Sequence, residues 1–294
     1  MQTESTNLIK WQKKFNTETS CSDHLIQLRW ADGFICPKCN HNHGYYNSNR
    51  VHFECASCHK QTSVICGTIF HGSKVSLLKW FWAIFYISSD KGGISALRLS
   101  KLISVSWKTA FHLLRKIRKA MGDQDSIYSL GGTVELDDTY IGGKRAGKRG
   151  RGAGGKASVL VACENHDGYP RYIAMKVIRS VSKKEIELFT KENIKPTATV
   201  RTDGYPSNNG VNGHAKLEKK VTPPEFVDEW LPWVHVAMAN LKRFILGTFH
   251  GTSRVYIQKY LNEFCYRFNR RFWEGQIPLR LLTLCANHTK VSLT

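Results

Sequence analysis

The chain has 294 residues, which allows one large domain or two to three small ones. Lysine and arginine outnumber aspartate and glutamate by 43 to 23, and this excess favours a polyanionic partner, with nucleic acid first and an anionic membrane second. No apolar run approaches the roughly 20 residues that span a bilayer, and residues 1–14 lack the apolar stretch of a signal peptide. Composition therefore argues against a membrane protein and predicts a cytosolic or nucleoid location.

The first part of the chain is predicted to be a helical lead, residues 1–34, followed by a zinc ribbon, residues 35–72. Two CxxC pairs predict the ribbon, because each tight knuckle supplies two thiolates to a tetrahedral zinc ion. The predicted ligands are Cys36, Cys39, Cys55 and Cys58. Buried free cysteines are the alternative, and nearby histidines could replace a ligand, namely His41, His43, His52 and His59. The total of nine cysteines is odd, which fits poorly with a disulfide framework.

Residues 73–124 are predicted to be helical and to resemble a helix-turn-helix. Residues 94–103 and 106–121 form two helical patterns that are joined by a short turn. The second helix carries Lys108 and Arg115, which are predicted to contact DNA. A helical linker with a solvated basic face is the alternative.

A basic, glycine-rich loop occupies residues 142–156. Such a loop can lay its cations along phosphates, and it lacks the ending of a nucleotide-binding P-loop. The cations predicted to contact DNA are Lys144, Arg145, Lys148 and Arg149. A solvated hairpin loop is the alternative.

The pattern changes to strands from about residue 131, and residues 130–275 are predicted to form a mixed α/β domain. Candidate strands cover residues 133–140, 157–163, 172–178 and 198–202, and candidate helices cover 181–194, 233–249 and 255–271. Residues 204–224 are rich in Gly, Asn and Pro and are predicted to be loop. Residues 276–294 show no clear helix or strand pattern and are predicted to form a C-terminal tail.

Two acids end predicted strands of this domain. Asp137 and Asp203 sit where a fold can hold metal ions, although a lone strand-end aspartate is more often a cap. Asp138 points to the opposite face from Asp137, so only one of the two can share a site with Asp203. Spacing alone leaves the third ligand open among Asp228, Glu229, His235, Asn240 and Glu263.

Several motifs together resemble insertion-sequence transposases with an N-terminal zinc ribbon and a ribonuclease-H-like DDE domain. The ribbon begins with LRWADGFICPKC at residues 28–39 and is followed by GTIF at 67–70 and WFWAI at 80–84. VELDDTYIGGK at 134–144 and TDGY at 202–205 resemble the family's first and second catalytic strands. LKR at 241–243, GTFH at 247–250 and EFCYRFNRR at 263–271 resemble its terminal helices. The resemblance covers nearly the whole chain.

This resemblance implies an α+β multidomain protein: a zinc ribbon, a helix-turn-helix-like segment and a ribonuclease-H-like mixed α/β catalytic domain. It implies a DNA transposase that cleaves and transfers strands with Mg²⁺ or Mn²⁺, besides structural Zn²⁺. Implied partners are double-stranded DNA, as terminal inverted repeats and target, and a second copy of the chain in a homodimer or higher oligomer. Implied location is the cytoplasm, at the bacterial nucleoid.

The family usually has a glutamate seven positions before the lysine that matches Lys242, and here that position holds His235. The resemblance therefore implies a triad of Asp137, Asp203 and His235, with Lys242 near a phosphate at the cut. Two rivals stay open. One is a domesticated, inactive DNA-binding protein, and the other is a nuclease that only hydrolyses DNA.

Overall fold

The computed structural model describes residues 4–142, 156–221, 223 and 227–288, and these fall into two compact units. Unit 1 comprises Met1–Ala120 and Phe272–Thr294, and unit 2 comprises Met121–Arg271. The described helices are α1 (Leu8–Lys14), α2 (Glu18–Arg29), α3 (Leu77–Ser89), α4 (Ala96–Leu102), α5 (Trp107–Asp125), α6 (Lys183–Asn193), α7 (Val227–Trp230), α8 (Pro232–Phe249), α9 (Ile257–Phe268) and α10 (Ile277–Asn287). The described strands are β1 (Gly44–Asn47), β2 (His52–Cys55), β3 (Gln61–Ser63), β4 (Thr133–Ile141), β5 (Ala157–His166), β6 (Tyr169–Ile178), β7 (Thr199–Thr202) and β8 (Lys216–Lys219).

Unit 1 is built around aromatic side chains from its first three helices. Trp11, Phe15 and Phe81 are buried, and ring pairs with centroids 4.6 and 4.9 Å apart link them edge to face. Helix α3 begins where Glu18 of α2 accepts the backbone N–H groups of Leu77 and Leu78, at 2.6 and 3.0 Å. Helix α10 packs against α2 and α3, so the C-terminal segment belongs to this unit.

The ribbon within unit 1 is a three-stranded antiparallel sheet in the order β1-β2-β3. Phe34 stacks on Phe53 with centroids 4.7 Å apart, and Trp30 packs against both rings. This small cluster also includes the buried Cys36 and Cys55. The ribbon has few other apolar contacts of its own, as expected for a module whose stability depends on a metal.

Unit 2 contains a five-stranded sheet in the order β6-β5-β4-β7-β8. Strands β4, β5 and β6 pair antiparallel, whereas β7 runs parallel to β4 and β8 runs parallel to β7. This is ribonuclease-H-like topology, in which the first strand of the domain lies at the centre. It confirms the predicted fold class.

Helices cover both faces of this sheet, and strand alternation sorts the side chains between them. One core contains Val159 and Val161 of β5 together with Val234 and Leu241 of α8 and parts of α9. The opposite core contains Val134, Leu136, Leu160 and Ala162 with Ile186 and Phe189 of α6. Odd-numbered positions of β4 therefore face α8, and even-numbered positions face α6.

The structure differs from one sequence-based prediction and adds detail in two other places. Residues 204–224, predicted to be loop, contain the short strand β8. The lead at 1–34 holds two helices, α1 and α2, each with a side-chain N-cap, from Asn7 and Thr17. The tail at 276–294 contains α10, whose Leu281, Leu282 and Cys285 are buried. Among the described helices, none is long and apolar enough to cross a membrane.

Candidate functional site

The four predicted zinc ligands converge in the ribbon. The sulfur atoms of Cys36, Cys39, Cys55 and Cys58 all lie within 4.8 Å of one another, with Cys36–Cys58 and Cys39–Cys55 both at 3.6 Å. Ligands about 2.3 Å from a tetrahedral zinc ion stand about 3.8 Å apart, whereas disulfide sulfurs are about 2.0 Å apart. The quartet therefore fits a structural zinc ion, and all nine cysteines are free thiols.

The two halves of this site repeat the same backbone turn. Asn40 donates its N–H to the carbonyl of Cys36 at 2.9 Å, and His59 donates its N–H to the carbonyl of Cys55 at 3.1 Å. Both Asn40 and His59 have positive φ, 60° and 53°, which turns the chain back after each CxxC pair. The four histidines considered as substitute ligands are not members of the cluster: His41, His43, His52 and His59.

The predicted helix-turn-helix corresponds to α4 and α5. Ser104, at φ 51°, makes the turn, and Ser106 accepts the N–H of Thr109 at 3.1 Å at the start of α5. Lys108 is exposed at that end, and Arg115 is half-buried two turns later. Trp107 is 55% exposed and stacks on Phe111 with centroids 5.3 Å apart.

Two other cations of α5 serve the interior of unit 1. Lys116 donates to the carbonyl of Ile69 at 3.0 Å, and burial lowers the pKa of its ammonium. Arg118 is only 3% exposed and donates to the carbonyl of Ile94. The basic surface of α5 is thus narrower than its sequence indicates. Predicted DNA contacts in the glycine-rich loop lie outside the described residues: Lys144, Arg145, Lys148 and Arg149.

The candidate catalytic site begins on β4, the central strand. Asp137 faces α8, and its Oδ2 atom lies 3.2 Å from Nε2 of His235 on that helix. Asp138 is on the opposite side of β4, as alternation predicts, and its backbone N–H donates to Oδ1 of Asp137 at 2.7 Å. Both side chains of the Asp137–His235 pair are partly exposed, at 20% and 25%, so solvent ions can reach them.

The separation of this pair fits two ligands of one divalent ion. Ligand atoms about 2.1 Å from an ion, at adjacent positions around it, stand about 3.0 to 3.4 Å apart. The 3.2 Å between Asp137 Oδ2 and His235 Nε2 lies within that range. The same contact is also compatible with a simple hydrogen bond between aspartate and histidine.

Asp203 follows β7, directly beside β4. In the parallel register Glu135 lies beside Arg201, and Asp137 and Asp203 each lie two residues further along. The acid is held by its own loop, since Oδ1 of Asp203 accepts the Asn208 side-chain amide at 2.6 Å.

The ligand atoms of Asp137, Asp203 and His235 do not form one three-membered cluster. Among described residues, the cysteine quartet is the sole group of at least three His, Cys, Asp or Glu side chains close enough to hold one ion. The structure thus brings Asp137 and His235 together, and places Asp203 directly after the adjacent strand.

Three of the remaining third-ligand candidates have side chains that the structure describes. Asn240 accepts from Arg243 at 3.1 Å, Glu229 is exposed, and Glu263 is fully buried on α9 near Arg267. The side chain of Asp228 lies outside the described part of the chain. Lys242 is exposed on α8, seven residues after His235 and therefore on the same side of the helix.

Two residues that support the site were not predicted from the sequence. Glu135 is fully buried and accepts the N–H groups of Trp233 and Val234, at 2.8 and 2.9 Å. Trp230 donates its indole N–H to the carbonyl of Thr202 at 2.9 Å, next to Asp203. A charged residue within the apolar run of β4, two positions before Asp137, was the available signal for Glu135.

Residues 129–269 match the ISXO2-like transposase domain, and residues 16–61 match the transposase zinc-ribbon domain. An uncharacterized protein in transposable element ISH50 of Halobacterium salinarum is 28% identical over a 278-residue alignment, and the match covers 86% of this chain and 91% of that protein. Among solved structures, a Mos1 transposase paired-end complex with left transposon end is 13% identical and covers 75% of this chain and 81% of its own, at a TM-score of 0.33. A pre-cleavage Mos1 transpososome is 14% identical with the same coverage, at a TM-score of 0.32.

Proposed function

Because the chain belongs to the insertion-sequence transposases that join a transposase zinc-ribbon domain to an ISXO2-like transposase domain, we propose that it cleaves the ends of its element and transfers the strands to target DNA by two-metal phosphoryl transfer. The observation that carries the proposed chemistry is the 3.2 Å contact between Asp137 on the central strand and His235 on α8. It joins a carboxylate on β4 to an imidazole on α8, and Asp203 follows the neighbouring strand β7 at the level of Asp137 in the parallel register.

The proposed roles follow from these positions. Asp137 would bridge two divalent ions, Mg²⁺ or Mn²⁺, and Asp203 and His235 would each hold one of them. Bound ions of this kind activate an attacking hydroxyl and stabilise the leaving oxygen. Lys242 is exposed on the His235 side of α8, about 10 Å further along the helix axis, where it would hold a phosphate near the cut.

DNA binding is proposed for the basic surfaces. Lys108 at the exposed start of α5, and Arg115 beyond it, would contact the element ends, and the loop with Lys144, Arg145, Lys148 and Arg149 would follow the phosphates. The net charge of +20 supports a polyanionic partner. Transposition joins two ends, so a homodimer or higher oligomer on DNA is part of the proposal.

The test is a cleavage and strand-transfer assay with a donor plasmid that carries the gene and its genomic flanks. Asp137→Asn and Asp203→Asn are each expected to abolish both steps, because each removes a carboxylate charge that would hold an ion. Asp138→Asn is the matched control. It alters the adjacent carboxylate, which lies on the other face of β4, and is expected to retain most activity.

Each alternative has its own result in this assay. Cleavage without strand transfer would identify a hydrolytic nuclease. DNA binding without either reaction in the wild-type protein would identify a domesticated DNA-binding protein. Loss of activity in Asp138→Asn, with an active Asp137→Asn variant, would show that the catalytic acid has been assigned to the wrong residue.

A further inference from the structure

Glu135 is a carboxylate at the centre of unit 2 with no exposure to solvent. Burying such a group is unfavourable unless hydrogen-bond donors replace water around it. Here three N–H donors do so: the backbone amides of Trp233 and Val234 reach Oε2, and Nδ2 of Asn165 reaches Oε1 at 2.9 Å.

The two backbone donors are the ones that the start of α8 leaves without a helical partner. The N-cap residue, Leu231, makes no side-chain cap, and Pro232 at the first helical position has no N–H. Glu135 therefore supplies from β4 the cap that the local sequence of α8 lacks. A negative charge at a helix N-terminus is also favourable because of the helix dipole.

We infer that Glu135 is a positioning residue, which sets His235 against Asp137 by fixing the start of α8 to the central strand. Glu135 and Asp137 are two residues apart on the same face of β4, and His235 directly follows Val234. One side chain thus ties the start of the helix that carries His235 to the strand that carries Asp137. This inference rests on the proposed function, since it assigns Glu135 a role in that same site.

Asn165 holds the cap in place. Its Nδ2 group donates to Glu135, and its Oδ1 atom accepts the backbone N–H of Gly168 at 3.0 Å in the β5–β6 turn. The amide of Asn165 therefore cannot reverse without losing the turn contact. In Glu135→Gln, the new amide can still accept from α8, but its NH₂ group then faces the NH₂ group of Asn165.

This geometry makes a rescue experiment available. In the double variant Glu135→Gln with Asn165→Asp, the introduced aspartate can accept from the new amide and from Gly168 at once. The control is Ser182→Ala, which removes a side-chain cap from α6 on the other face of the same sheet. The variants are compared by hydrogen exchange at the start of α8 without metal, by calorimetric titration with Mn²⁺ alone, and by plasmid cleavage.

Glu135→Gln is expected to speed exchange at the start of α8 and to weaken Mn²⁺ binding and cleavage by between about 10-fold and 100-fold. The double variant is expected to recover all three, and Ser182→Ala is expected to leave them unchanged while lowering the melting temperature. Wild-type Mn²⁺ affinity in Glu135→Gln, or exchange no faster than in Ser182→Ala, would overturn the positioning role. A wild-type protein that binds no Mn²⁺ would instead overturn the proposed function, whatever the exchange shows.

Discussion

At the scale of single residues, the proposed site differs from an all-carboxylate one by a nitrogen ligand. Imidazole is a softer donor than carboxylate, and it contributes no negative charge to the site. Mn²⁺ accepts nitrogen ligands more readily than Mg²⁺ does. With His235 where the family usually has a glutamate, the proposed site would therefore favour Mn²⁺ over Mg²⁺.

We predict that His235→Ala lowers the cleavage rate by at least about 100-fold, because it removes one ligand from the site. His235→Glu is predicted to restore part of the activity by returning a carboxylate to that position, and to shift the preference from Mn²⁺ towards Mg²⁺. The measurement is the cleavage rate of each variant across a titration of each ion.

Alanine variants of Asp228, Glu229 and Asn240 are the controls for this ligand assignment. Asp228 and Glu229 lie on α7 and Asn240 lies on α8, and spacing alone allowed these three besides His235 and the fully buried Glu263. A wild-type rate for His235→Ala, together with a large loss in one of these three, would move the ligand to that residue.

The sequence pointed to some residues of the proposed site and not to others, for physical reasons. Asp203 directly follows β7, as its predicted position at a strand end requires, whereas Asp137 lies in the middle of β4, which continues to Ile141. The contact between Asp137 and His235 spans 98 residues of chain, and only family register pointed to that histidine. No spacing rule finds the Glu135 cap, because a side chain on β4 replaces what is normally a local residue.

At the scale of structural elements, the ribbon is the part of the molecule whose stability depends least on its own apolar packing. Its apolar cluster is small, and its two knuckles need Asn40 and His59 in a backbone conformation that is uncommon outside glycine. The zinc ion has to supply the missing stability, as in other small metal-bound modules.

We predict that purified protein contains about one zinc ion per chain. Cys36→Ser is predicted to release it and to unfold the ribbon, while unit 2 keeps its own thermal transition. Zinc content by atomic absorption and unfolding by differential scanning calorimetry are the measurements. Cys66→Ser is the matched control, since Cys66 is a free, partly exposed thiol outside the quartet. Folded protein without zinc would rule out the site.

Strands with buried, apolar sequences were predictable, and β8 was not. Strand β8 has four residues, three of them charged, and among the described strands it pairs only with β7. Ion pairs stabilise it, from Arg201 and Lys216 to Glu218 at 3.4 and 2.8 Å. A polar edge strand of this length gives no alternating apolar pattern, so its sequence resembles a loop.

At the scale of the whole molecule, the dominant feature for binding is the positive net charge. A chain of net charge +20 binds a polyanion chiefly by neutralising phosphates and releasing their counterions. The salt dependence of the affinity is then set more by the number of cations that contact the DNA than by the total charge of the protein.

We predict that the logarithm of DNA affinity falls linearly and steeply with the logarithm of salt concentration. Lys108→Ala and Arg115→Ala are each predicted to weaken binding to the element ends and to reduce the slope by about one. Fluorescence anisotropy with labelled duplexes from the genomic flanks, over a range of salt concentrations, measures both.

Lys191→Ala is the control, because it removes the same charge from α6, where Lys191 pairs with Glu187 at 2.7 Å. It is expected to change neither the affinity nor the slope. If Lys191→Ala weakened DNA binding and reduced the salt slope as much as the α5 variants do, the affinity would depend on the total charge of the protein and not on contacts from α5. An affinity that salt leaves unchanged would count against DNA as the partner.

Unit 1 takes its residues from both sides of unit 2 along the chain, and this order matters during protein synthesis. The buried Leu281 and Leu282 of α10 leave the ribosome only after all of residues 121–271 have been made. A truncated product that stops within unit 2 lacks α10 and exposes the apolar surfaces of α2 and α3 that it covers. Such fragments are expected to aggregate or be degraded, so they would not compete with full-length protein for the DNA that we propose it binds.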